Sequence, residues 1–236
     1  TYYAEQVDID PEKIYTVSVM PCTAKKFEKE RDEMKDSGYK DTDAVLTTRE
    51  LARRIREIGL QFKKLEDEEY DKMMGKSTGA ATIFGTTGGV AEAAARTVKE
   101  KVTGEELEKL DLGFKGVNEA QIEIGDHTIN IAIANGLSKA EEILEEVRAG
   151  ESKYDFIEIM ACPHGCVGGG GQPIPVNKET KDKRGEGLAN VDVSKSIRKS
   201  HENPMIVKVY EEFLGEPLSG ESHHLLHTKY KKRSKN

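Results

Sequence analysis

The run HTINIAIANGLSKAEEILEEVRAGESKYDFIEIM, residues 127–160, changes hydrophobic period twice, and this restricts the fold more than any other feature. Ile129, Ile131 and Ile133 alternate as in a strand, up to the turn pair Asn135-Gly136. Ser138 and Glu141 then stand at capping-box spacing, Ala140, Ile143, Leu144 and Val147 recur as one inward helix face, and Gly150 closes the helix. From Tyr154 to Met160 apolar and β-branched residues return, predicting a second strand. Strand, helix and strand in succession point to an α/β fold.

The same rhythm recurs elsewhere. KIYTVSVM predicts a strand that runs directly into Cys22. DAVLTTRELARRIREIG reads as a short strand and a helix, with Thr47 and Glu50 as capping box, Leu51, Ile55 and Ile58 as apolar stripe, and Gly59 as stop. KKLEDEEYDKMMGKSTG reads as a charged loop or lid. ATIFGTTGGVAEAAARTVKEKV predicts a short strand, a glycine turn and an alanine-rich helix. GQPIPVNKETKDKRGEG reads as a connection. From about Val191 a polar, His-containing helical appendage follows. Cys22 and Cys162 thus both lie at strand ends, where open α/β sheets place their ligands.

Three cysteines are an odd count, so a disulfide framework is not expected. Cys162 and Cys166 are separated by three residues and followed by four glycines in EIMACPHGCVGGGGQP. Zinc is one reading of such a pair, but a four-ligand site needs a second pair and only Cys22 remains. Histidines offer a completion: His164, His223, His224 or His227. His223 and His227 share a helix face, yet no acidic partner stands in an H-E-x-x-H pattern, so they read as a packed or exposed helix end. Thioredoxin-like spacing is absent, and neither VGGGGQP nor FGTTGGV carries the Lys-Ser/Thr of a phosphate loop. Bare backbone beside thiolates suits an iron–sulfur cluster, whose sulfurs accept close N–H donors. A net charge of −7 argues against nucleic acid, and the basic tail from Lys229 reads as a solvated terminus. No apolar run approaches the roughly 18 residues of a membrane span.

VMPCTAKKFEKER and EIMACPHGCVGGGGQP resemble the second and third signature motifs of the iron-only (FeFe) hydrogenases. Ser77 to Thr97 resembles another stretch of their catalytic domain, and SIRKSHENPMIVKVYEEFLGEPLSGESHHLLHTKY resembles their small-subunit segment. The resemblance implies a two-lobed α/β fold, each lobe a parallel sheet flanked by helices, with residues 1–183 from the large-subunit catalytic domain and 184–236 as a small-subunit-like helical segment. It implies an H-cluster, a 4Fe–4S cubane joined to a diiron unit carrying CO and cyanide. By position, Cys22, Cys162 and Cys166 match cubane ligands, and Cys166 matches the thiolate bridging to the diiron unit. Lys25 matches a lysine that hydrogen-bonds a cyanide. Met20, Phe84, Val90 and Met160 match residues packed around the diiron unit.

The resemblance implies a ferredoxin-type hydrogenase interconverting protons, electrons and H2, with ferredoxin or another iron–sulfur carrier as partner and a cytoplasmic location. The family's first motif, which holds the fourth cubane cysteine and a proton-passing cysteine, has no counterpart here. TYYAEQ reads as the interior of a catalytic domain, so an upstream or separate polypeptide carrying that motif is an expected partner, and the chain alone is expected to be inactive. Glu28 and Arg31 read as a structural ion pair or helix start. His164, where many relatives carry glycine, reads as facing solvent. The rival readings are a non-catalytic hydrogenase-like iron–sulfur protein, a sensory hydrogenase-like domain and a zinc-stabilised interaction module.

Overall fold

The computed structural model describes residues 1–71, 74–228 and 230–231. In chain order its helices and strands are α1 (Tyr2–Gln6), β1 (Val17–Met20), α2 (Lys25–Glu28), β2 (Ala44–Thr47), α3 (Thr48–Glu57), α4 (Gly79–Ile83), α5 (Gly89–Thr103), β3 (Glu119–Ile124), β4 (His127–Asn135), α6 (Leu137–Ala149), β5 (Phe156–Met160), α7 (Lys178–Ser194), α8 (Pro204–Val209) and α9 (Gly220–Leu226). They form two compact units, Thr1–Gly75 with Pro204–Asn236 and Lys76–Asn203. The fold is α/β, as expected. Among the described residues no helix is long and apolar enough to cross a membrane. Of the predicted basic tail, Lys229 and residues 232–236 lie outside the described residues, as do Lys72 and Met73 of the predicted charged loop.

In the first unit β1 and β2 pair in parallel, Val17 opposite Ala44 through Met20 opposite Thr47. The Thr47 capping box is present: its hydroxyl accepts the Glu50 amide while Glu50 accepts the Thr47 amide. Backbone bonding from Thr47, then hydrogen bonds from Lys26 and the Thr47 hydroxyl, hold the Glu50 carboxyl down to about 2. The predicted stripe on α3 is looser than expected. None of its residues is buried, and Ile58 is exposed at the helix end. Elsewhere in this unit Tyr2, Val209 and Leu214 form an apolar cluster, and the Tyr2 hydroxyl donates to Glu212 at 2.8 Å.

In the second unit β4 is the central strand of the order β3-β4-β5. Its partner β5 is parallel, and β3 is antiparallel. Alternation along β4 loads both faces. Ile131 and Ile133 pack with Ala91 and Ala95 of α5, Phe114, and Ile122 and Ile124 of β3. Ala132 and Ala134 pack with Ala140 and Ile143 of α6. Leu144 and Val147, expected inward, are 37% and 44% exposed, because only the Ala140–Ile143 side of α6 meets the sheet.

Three sequence expectations are corrected in this unit. Ala81–Phe84 is not a strand: α4 forms there because the Thr78 side chain accepts the Ala81 amide and caps the turn. Ser138 is not a capping residue, since the helix begins one residue earlier behind Gly136, at φ +101°. KETKDKRGEG is not a connection but the start of α7. Asn177 caps it by accepting the Thr180 amide, and Lys178–Asp182 and Glu179–Lys183 pair one turn apart. Residues 183 and 184 therefore both lie inside α7.

Candidate metal centre

In the first unit β1 ends at Met20, and Cys22 follows it, partly exposed. Lys25 opens α2. Met20 and Lys25 line one cavity of about 210 Å³ with the Met34 side chain. The Lys25 ammonium pairs with Glu28 at 2.6 Å. Of the two residues read as an ion pair or helix start, Glu28 pairs with Lys25, and Arg31 pairs with Glu33 at 2.6 Å and stands at the start of the 3-10 turn Asp32–Lys35. The cavity is thus lined by the thioethers of Met20 and Met34 and by the charged residues Lys25, Glu28, Lys29 and Asp41, on and around the segment that carries Cys22.

In the second unit β5 ends at Met160, and Cys162 and Cys166 stand on the loop that leaves it. None of the three cysteines is in a disulfide, and each is partly exposed. The loop is locked on several sides. The Gly165 amide donates to Cys162 O at 2.9 Å, and Cys166 O accepts from the Gly169 amide and from Gln172 Nε2, both at 3.0 Å. The His164 amide donates to Asn135 Oδ1 at 2.8 Å. Arg184 reaches back from α7, donating to Val167 O at 3.1 Å and Pro173 O at 2.9 Å.

This loop packs on the Gly85–Thr87 turn, which follows Phe84 directly. The Val167 amide donates to Gly85 O at 3.1 Å. A Cβ on Gly165 would stand 2.8 Å from Thr87 N and 2.9 Å from Gly85 O, and one on Gly168 would stand 2.3 Å from Pro163 O. At these two positions the missing side chains serve the packing of the loop itself. The Thr87 hydroxyl is buried and has no hydrogen-bond partner among the described residues. Phe84 ends α4 with 43% exposure, and Val90 lies in the first turn of α5, half-buried. The second unit therefore joins the Cys162–Cys166 loop to the turn after Phe84, with Met160 at the strand end that leads into the loop.

His164 is half-buried with φ +70°, not fully solvent-facing. Burial first, then the Lys181 charge, push its imidazole below the ordinary histidine value.

Sequence reasoning missed Glu158. It is buried in β5, and its two carboxylate oxygens accept the Gly88 and Ala91 amides, each at 2.7 Å, at the start of α5. A charged residue inside the apolar run FIEIM was the available signal. It also missed a buried ion network. Arg96 pairs with Glu92 at 2.6 Å and with Asp192 at 3.1 Å, and Asp192 also accepts Arg198 at 2.6 Å.

Comparison with known proteins identifies the family. The family model for the iron only hydrogenase large subunit, C-terminal domain, matches residues 1–170, and that for the iron hydrogenase small subunit matches residues 178–233. The chain is 50% identical over 240 residues to the NADP-reducing hydrogenase subunit HndD of Solidesulfovibrio fructosivorans, covering 100% of this chain and 41% of that protein. A solved structure of FeFe-hydrogenase HydA1 from Chlamydomonas reinhardtii superimposes with a TM-score of 0.79 at 40% identity, covering 98% of this chain and 66% of that one. More distantly, the cytosolic Fe-S cluster assembly factor narfl of Xenopus tropicalis is 27% identical over 98% of this chain and 50% of its own length. The chain spans about two fifths of the length of HndD and half that of narfl. By the match over residues 1–170 and the fold it shares with HydA1, this chain belongs to the iron-only hydrogenase family.

Proposed function

We propose that this chain is the cluster-binding part of an FeFe hydrogenase that interconverts protons, electrons and H2 with an iron–sulfur electron carrier. The supporting observation is the cavity at the end of β1 that Lys25 and Met20 share with Glu28 and Asp41, which puts a cation and a thioether on the segment that carries Cys22. Identity of 50% to a hydrogenase subunit, against 27% to an assembly factor, points the same way.

In this reading Cys22, Cys162 and Cys166 would hold the cubane, and Cys166 would also serve the diiron unit. When bound, that group supplies the site at which protons and electrons combine to H2. The residues themselves fit such a group. Cys162 and Cys166 are carried on a loop fixed by four hydrogen-bond contacts to Cys166 O, Asn135 and Val167 O, so little ordering remains to be done on binding. Lys25 would donate a charge-assisted hydrogen bond to a cyanide of that group, and Met20, Phe84, Val90 and Met160 would give it an apolar, polarizable wall. A cubane held by four protein ligands needs one beyond the three cysteines of these 236 residues. We assign that ligand, and the proton donor, to a partner polypeptide or further segment bearing the family's first motif. We keep residues 1–183 as the catalytic part and 184–236 as the small-subunit-like part; the separate matches at 1–170 and 178–233 support two such parts, the second match beginning six residues before this boundary.

The second reading is a non-catalytic iron–sulfur protein, favoured by the likeness to narfl along nearly the whole chain. Lys25→Ala separates the two. With the first-motif polypeptide supplied and the clusters reconstituted, the variant should keep cubane iron and lose most diiron loading. Unchanged infrared CO and cyanide bands with unchanged activity contradict the role given to Lys25.

A further inference from the structure

The histidines of α9 stand apart from the proposed cluster chemistry. His223 stands in the last turn of α9 and His227 follows the helix as its extended C-cap residue, and their rings stack with centroids 4.5 Å apart and planes at 16°. Among the described residues neither ring has a hydrogen-bond or ion-pair partner. The acidic partner missing from the local sequence comes from another segment of the same unit. Asp32, Glu33 and Asp36 line one cavity together with His223, His224, His227 and Lys231. Glu33 is committed to Arg31 at 2.6 Å, and Asp32 faces Lys35 at 3.5 Å and Lys231 at 3.9 Å. Among the described residues no ion pair engages Asp36.

We propose that His223, His227 and Asp36 form a site for a divalent transition metal of the zinc class. Two imidazoles at i and i+4 with a carboxylate are a donor set that such a borderline ion prefers, and the fourth position is open to water. Metal–nitrogen bonds of about 2.0–2.1 Å hold two nitrogens roughly 3.4 Å apart. The rings as they stand are stacked and near-parallel, so binding requires both exposed side chains to turn until their nitrogens converge. Asp36 contributes negative charge that the two neutral imidazoles lack. Among the described residues the ligand atoms already gathered within 4.8 Å of one another are those of Glu100, His201 and Glu202, and that group offers no such vacancy, because the Lys199 ammonium already bonds Glu100 at 2.9 Å and Glu202 at 2.6 Å.

The test uses the full chain with Cys22, Cys162 and Cys166 changed to Ser, which removes thiolate competition. Titration with Co2+ should give one bound ion with visible bands of a nitrogen–oxygen site and no thiolate charge transfer, displaced by Zn2+. His223→Ala with His227→Ala should weaken Co2+ binding by about tenfold or more, and Asp36→Asn by several-fold, whereas His127→Ala on β4 should leave it unchanged. Far-UV dichroism checks that each variant is folded. In the chain with its cysteines intact, Zn2+ should shift the imidazole signals of His223 and His227 in NMR spectra. Co2+ affinity undiminished in the double variant, or unmoved His223 and His227 signals, overturns the site.

Discussion

Gly165 packs so closely on Thr87 that a Cβ on Gly165 would stand 2.8 Å from the Thr87 amide nitrogen. Its backbone, at φ +81° and ψ −158°, is in a region that only glycine occupies without strain. The obstacle on the other side is backbone, so it does not rotate away. Gly165→Ala should therefore destabilise the chain by at least about 2 kcal/mol, strain and displacement combined. Urea denaturation checks this, and a change within about 0.5 kcal/mol contradicts it. The same variant should take up less iron on reconstitution, because the loop that carries Cys162 and Cys166 has moved off its turn.

Glu158→Gln tests the buried link between β5 and α5. The carboxylate accepts two amides at 2.7 Å, Gly88 through one oxygen and Ala91 through the other. Glutamine presents one oxygen and one NH2 group, which leaves one buried amide facing a donor. The expected cost is about 2–3 kcal/mol, read as a lower denaturation midpoint with an unchanged m-value. A neutral substitution shows that water or a shifted backbone replaces the lost acceptor.

The Asp192 network sets an acid-side dependence. Burial pushes the Asp192 carboxyl up, but hydrogen bonds from Arg198 and Arg96 outweigh it and hold the carboxyl below the ordinary aspartate value. A depressed folded-state value contributes stability that is present above the unfolded value, near 3.9, and lost as pH falls through the folded one. Asp192→Asn should cost about 3–5 kcal/mol at neutral pH, since it leaves the buried Arg96 guanidinium and the partly exposed Arg198 short of negative charge. Below about pH 4 the gap between the two proteins should narrow. Parallel stability profiles from pH 7 down to pH 3 contradict this role.

The parts legible in the sequence are those set by local chemistry. The alternation at Ile129, Ile131 and Ile133 marked β4, the Thr47–Glu50 pair marked the start of α3, and both cysteine segments follow strands where the residue pattern put them. What failed were boundaries decided by a single side chain: Thr78 capping α4 in a β-branched stretch, and Asn177 starting α7 in a charged one. The antiparallel β3 was passed over because its exposed positions, Glu119, Gln121 and Glu123, dilute a short apolar pattern. Contacts distant in sequence were invisible for a different reason. Nothing near Arg96 names Asp192, and nothing near Gly165 names Thr87, so neither the ion network nor the packing role of that glycine had a local signature.

The most direct test of the proposed function is the infrared spectrum of this chain joined with a polypeptide bearing the first motif, after cubane reconstitution and addition of synthetic diiron cofactor. The account predicts CO and cyanide bands of a bound diiron unit, accompanied by H2 turnover, and the loss of both in Cys166→Ser. A fully loaded cubane that never acquires those bands, or a Cys166→Ser protein that keeps them with full H2 evolution, contradicts it.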